Sequence, residues 1–133
     1  MIRRLARLST AERALLVRAA VNLVSARIAL SLFGFRRTRR LFAMRPSPHT
    51  SEWSPHRVAW AVQAVSRVVP GSTCLVRSLT LERLLRSDGH PARLRLGVAH
   101  AAAARLAAHA WVESDGAVLL AEPGFEALEH VPG

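Results

Sequence analysis

Cys74 is the only cysteine in the chain and stands in the stretch PGSTCLVRSLTLERLL, residues 70–85. Pro70 and Gly71 interrupt what precedes it. Ser72 or Thr73 can then cap a new helix by accepting a backbone N–H from its first turn. Cys74 falls in that first turn, beside unpaired amides and the positive end of the helix dipole, a setting that favours the thiolate over the thiol. A lone cysteine is more often a small buried hydrophobe than a nucleophile, so chemistry needs a base and an orienting acid within reach. The candidates are His109 and Glu122. Asp115-Gly116 reads as a tight hairpin turn. With a two-residue loop, Ser114 faces Ala117, cross-strand partners have numbers summing to 231, and His109 lies opposite Glu122. Directly opposed residues share a face, with Cβ atoms roughly 4.5–5.5 Å apart. Glu122 would then fix the tautomer of His109, and His109 would take the Cys74 proton: a nucleophile, base and orienter set for acyl transfer. A three-residue loop would instead put Ala121 opposite His109. His109 could also be a core histidine satisfied by a backbone carbonyl, and Glu122 a polar strand end.

The elements that must position these residues read as α+β: N-terminal helices, a cysteine-bearing helix, then a small antiparallel sheet. Ser9-Thr10-Ala11-Glu12 fits a capping box, opening a helix to about Phe33, where Gly34 offers a left-handed stop. The cluster Arg36, Arg37, Arg39, Arg40 follows, and Leu41-Phe42 can pack back. Residues 45–55, RPSPHTSEWSP, form a loop. Ser54-Pro55 reads as cap and first position of a helix to about Val69, with Val58, Ala61, Val62 and Val65 facing the core. The cysteine helix follows, with Leu75, Leu79, Leu81, Leu84 and Leu85 as its apolar contacts, and ends at Asp88-Gly89. After Pro91 the period changes from helical to alternating. Leu94, Leu96 and Val98 form the buried face of one strand. His100 to Arg105 is an alanine-rich connection, Leu106–Glu113 a second strand, and Ala117–Glu122 a third that Pro123-Gly124 ends. The tail, FEALEHVPG, is short and acidic.

At 133 residues the chain has the length of one domain, with a basic helical segment over 1–45 and the reaction core expected over 54–133. Half its residues are hydrophobic, which argues against disorder. One cysteine rules out an internal disulfide and a cysteine zinc cage, and points to a reducing, cytoplasmic setting. The six histidines show no helical metal-ligand spacing, so neither metal nor cofactor is expected. Residues 1–45 hold eleven arginines against the single acid Glu12, while the remainder holds eight of each sign. The positive field therefore belongs to the N-terminal third. Such a segment can meet nucleic acid, anionic lipid or an acidic protein, or simply face its arginines to water. With no tyrosine, few aromatics and no nucleic-acid motif, nucleic acid is the weakest of these. Arg18 and Arg27 argue against a transmembrane helix, since each costs roughly 2.5–3.5 kcal/mol at the bilayer centre, and Arg18 interrupts any signal-peptide core. A peripheral membrane contact through residues 10–42 stays open.

The segment CLVRSLTLERLLRSDGHPARLRLGVA, followed by AHAWVESDGAVLL, resembles the transglutaminase-like cysteine peptidases of lasso peptide biosynthesis. In that family a CL-R-SL helix carries the nucleophile and an AHAWVE strand the histidine. The arginine-rich helix ending near FRRTRRLF is also similar, so the likeness covers nearly the whole chain. Residue by residue, it implies Cys74 as nucleophile and His109 as base, on a papain/transglutaminase-like core. The family usually places an aspartate about a dozen residues past the histidine, where this chain has Ala121 followed by Glu122. The resemblance implies a leader peptidase acting on a ribosomally made precursor peptide. A separate leader-recognition protein and an asparagine-synthetase-like cyclase would be its partners. Another acyl-transfer chemistry on the same framework (transglutamination or amidase action) and a non-enzymatic basic binding module are the alternatives.

Overall fold

The computed structural model describes residues 8–42, 53–101, 105–114, 116–119 and 126–127. Three helices precede a sheet: α1 (Thr10–Phe42), α2 (Pro55–Ser66), α3 (Cys74–Ser87), β1 (Arg93–Ala101), β2 (Arg105–Ser114), β3 (Ala117–Leu119) and β4 (Glu126–Ala127). The architecture is the expected α+β.

Local chemistry sets the helix starts. The Ser9 amide donates to Glu12 Oε1 at 3.3 Å and the Glu12 amide to Ser9 Oγ at 3.1 Å, closing the capping box. Ser54 caps α2 by accepting from the Arg57 amide, with Pro55 at the first helical turn. The first helical limb does end at Gly34, as expected, but a second limb follows it directly. Gly34 adopts φ 77°, ψ 177°, which breaks the helical path, and the chain bends and resumes as helix to Phe42. The expected stop is therefore a hinge between two limbs. Arg18 Nη2 meets Asp88 Oδ1 at 2.8 Å near the end of α3, while Arg27 lies against Gly71 just before its start. The first limb thus runs antiparallel to α3. Beyond the bend, Arg83 Nη1 donates to the Leu41 carbonyl and Phe42 packs on the core, so the second limb turns back along α3.

Leu15, Ala19, Leu23 and Ala26 of α1 meet Val58, Ala61, Val62 and Val65 of α2, with Val76, Leu81, Leu84 and Leu85 of α3 and Val112 and Leu119 of the sheet, in one buried cluster. The core positions expected on α2 are all buried. Burial of each leucine or valine stabilises by about 1.5–3 kcal/mol relative to exposure.

The strands are antiparallel and ordered β3-β2-β1-β4. Val112, Glu113 and Ser114 pair with Leu119, Val118 and Ala117, so the hairpin has the two-residue loop and the register of 231. Gly116 takes φ +80°, as the second position of a tight primed turn requires. The alanine-rich connection is shorter than expected, because β1 runs on to Ala101 and β2 begins at Arg105. Within the acidic tail, β4 pairs Ala127 with Gly97 and Glu126 with Val98. A two-residue strand carries too little period to be legible in sequence.

Candidate active site

Cys74 is the first residue of α3. Thr73 caps the helix: its side chain accepts the Val76 amide at 3.3 Å, and its carbonyl takes the Arg77 amide at 3.0 Å. Of the two possible caps, Ser72 is otherwise engaged, its Oγ donating to the Val69 carbonyl at 2.7 Å. With the third amide of the helix satisfied by Thr73, those of Cys74 and Leu75 have no intrahelical acceptor and open from the helix mouth. Gly71 forms the turn before the cap at φ +76°. That φ favours glycine, and a Cβ there would also displace the exposed Arg27 side chain, whose Nε would lie 2.4 Å away.

The cysteine is partly exposed. One side of it packs with Leu30, Phe35, Leu75 and Leu96 against a small buried cluster of Leu79, Leu94 and Ala110. Ala110 belongs to β2 and follows His109 directly, so the helix carrying the thiol and the strand carrying the imidazole are in contact next to both. His109 holds a register position opposite Gly97 of β1, which brings no side chain to that row. Alternation along β2 groups position 110 with 112 and position 109 with 111. Glu122 lies outside the described residues, so the third member of the set has no placement. On β2 and β3 the pairing is established from Ser114↔Ala117 to Val112↔Leu119.

Sequence reasoning did not anticipate the contribution of α1. Leu30 and Phe35 stand on either side of the Gly34 bend and both join the cluster that flanks Cys74. Arg27 covers the turn that leads into α3. Only the bend brings these residues to the cysteine, and a helix read as ending at Phe33 offers no signal for it. Away from the thiol, Glu82 of α3 is buried and accepts the Leu94 amide at 2.5 Å, fastening the cysteine helix to the start of β1. Ser114 Oγ donates to the Pro91 carbonyl at 2.5 Å and ties β2 to the same place. Among the described residues no group of three or more His, Cys, Asp or Glu is placed to hold a metal ion.

A thiol at a capped helix mouth, backed by a strand that carries a histidine, is an arrangement suited to attack on a carbonyl carbon. A family model described as the transglutaminase-like superfamily matches residues 20–130, which include both Cys74 and His109. No curated protein and no solved structure matches the chain.

Proposed function

The chain belongs to the transglutaminase-like superfamily, and we propose that it is a cysteine peptidase that removes the leader from a ribosomally synthesised precursor peptide during lasso peptide maturation. The observation that carries the chemistry is the seat of Cys74: first residue of a capped helix, partly exposed, and packed through Ala110 on the strand of His109. The finer assignment to leader removal rests on the resemblance of the cysteine helix and the AHAWVE strand.

On this reading the Cys74 thiolate attacks the scissile carbonyl, and the Cys74 amide donates to the oxyanion that forms. The C–N bond breaks as His109 protonates the leaving amine, leaving a thioester. Water, deprotonated by His109, then attacks the thioester and returns the thiol with a carboxylate product. Glu122 orients the imidazole. Ala110 and Val112 pack with α3, so alternation puts position 109 in the other set along β2, and the proposed couple requires the imidazole to reach the helix mouth around that strand. The partners that go with this role are the precursor peptide, a separate leader-recognition protein and an asparagine-synthetase-like cyclase, in a reducing cytoplasm that keeps the thiol free.

The deciding experiment is mass spectrometry of a candidate precursor incubated with the chain, with and without the recognition protein. Cys74→Ala should bind the precursor and leave it whole, and His109→Ala should lower turnover about 10²–10⁴-fold. Cleavage by the Cys74→Ala protein would remove the nucleophile from the scheme. The superfamily also accommodates transfer of the same thioester to an amine. Addition of a primary amine separates the two: an amide product identifies a transferase, a carboxylate product a peptidase.

A further inference from the structure

The outer face of α1 carries a line of aliphatic side chains that no described element covers. Val17, Val21, Val24, Ile28 and Leu32 are 61%, 60%, 40%, 53% and 69% exposed. Their spacing of three and four residues puts them on one side of the helix over about 22 Å. The opposite side, with Leu15, Ala19, Leu23 and Ala26, is built into the core. Exposed aliphatics scattered singly are ordinary, but an aligned set on one helix face marks a surface that is covered in use. Beyond the bend at Gly34 the exposed residues are Arg36, Arg37, Arg40 and Leu41. Between Glu12 and Glu52 the sequence has no acidic residue.

We propose that this face is a docking surface for an anionic lipid leaflet, with α1 lying in the plane of the interface and the exposed arginines beyond the bend among the headgroups. The charge pattern chooses this occupant. A second copy packed antiparallel on the same face would offer the partner's arginines only Glu12, which is already paired with Arg57. A lipid surface is of one sign throughout, and a segment holding only the opposite sign from Arg13 to Ser51 is complementary to it. Although α1 is long and apolar enough to cross a membrane by length and composition, its inner face is shared with α2 and α3. Spanning would open the core, so the helix lies on the leaflet. Arginine stems add apolar contact at the boundary while their heads stay with the phosphates.

The test is cosedimentation of the full chain with vesicles of phosphatidylcholine alone or with a quarter phosphatidylglycerol, at low and high salt. Binding should require the anionic lipid and weaken with salt. Removing Arg36, Arg37 and Arg40 together as glutamines should lower affinity by about five-fold per arginine, on the order of a hundred-fold in all. Val21→Gln with Ile28→Gln should lower it at least ten-fold. All these positions are exposed, so circular dichroism and the urea midpoint should be unchanged. Failure of the unaltered chain to bind anionic vesicles at low salt overturns the proposal. So does binding that is indifferent to the Val21 and Ile28 changes, or an apolar face that proves to hold a dimer or an acidic protein while vesicles go unbound. The readout needs no turnover, so it stands apart from the fate of the peptidase reading.

Discussion

Thr73 shapes the surroundings of the thiol through its cap. By accepting the Val76 amide it fixes the first turn of α3 and leaves the next two amides directed at whatever approaches Cys74. Thr73→Ala should therefore cost about 1 kcal/mol of stability, seen as a lower urea midpoint. Thr73→Ser should restore most of it, because a hydroxyl still reaches the Val76 amide. On the proposed reading the alanine variant also slows cleavage, as a frayed helix mouth holds the oxyanion donor less well. That a cap preceded Cys74 was legible from Ser72-Thr73 after Pro70-Gly71. Which of the two served was not, since it depends on the Ser72 hydroxyl closing the turn at Val69.

Among the elements, the bend in α1 has the widest consequences. Gly34 at φ 77°, ψ 177° occupies a region almost closed to residues with a Cβ, where occupancy costs on the order of 1–3 kcal/mol. A Cβ there would meet nothing within 4 Å, so the penalty is one of backbone conformation and not of packing. Gly34→Ala should lower the unfolding free energy by that amount, read as a lower urea midpoint, while Ser31→Ala, exposed on the same helix, should stay within about 0.5 kcal/mol of the parent. Alkylation of Cys74 should also quicken in the Gly34 variant, because Leu30 and Phe35 reach its cluster from the two sides of the bend. The sequence marked Gly34 as a helix terminator. It did not reveal that the arginine-rich limb continues as helix, because Gly is equally at home at a stop and at a hinge.

At the scale of the whole molecule, helices and sheet are fastened through one buried carboxylate. Glu82 accepts the Leu94 amide, and Arg39 from the second limb of α1 and Arg86 from α3 each lie 3.9 Å from it. Its removal orphans a strand amide and takes a carboxylate away from Arg39, while Arg86 keeps its hydrogen bonds to the Ala92 carbonyl. Glu82→Leu should cost about 1–3 kcal/mol, the scale of a buried amide left without its acceptor. Glu82→Gln should cost less, because it keeps an acceptor for Leu94; urea unfolding of the two variants checks the order. In the run LTLERLLRS nothing distinguishes Glu82 from a glutamate on a solvated helix face. Its role exists only once three elements meet around it.

What the sequence determined by itself were the features that depend on neighbours a few residues away. The caps at Ser9 and Ser54, a cap before Cys74, the core face of α2, the change to a strand period after Pro91 and a tight turn at Asp115-Gly116 all follow from local hydrogen bonding, φ preference and side-chain alternation. The turn narrowed the register of β2 on β3 to two choices, one per loop length, and the pairing of Ser114 with Ala117 selects the two-residue loop. Tertiary structure decided what depends on distant segments: the return of α1 past its bend, the flanking of Cys74 by Leu30 and Phe35, the burial of Glu82, and the addition of β4 to the far edge of β1. Those contacts join residues tens of positions apart. Their free energy comes from shared burial and mutual satisfaction of polar groups, which no single stretch of the chain encodes.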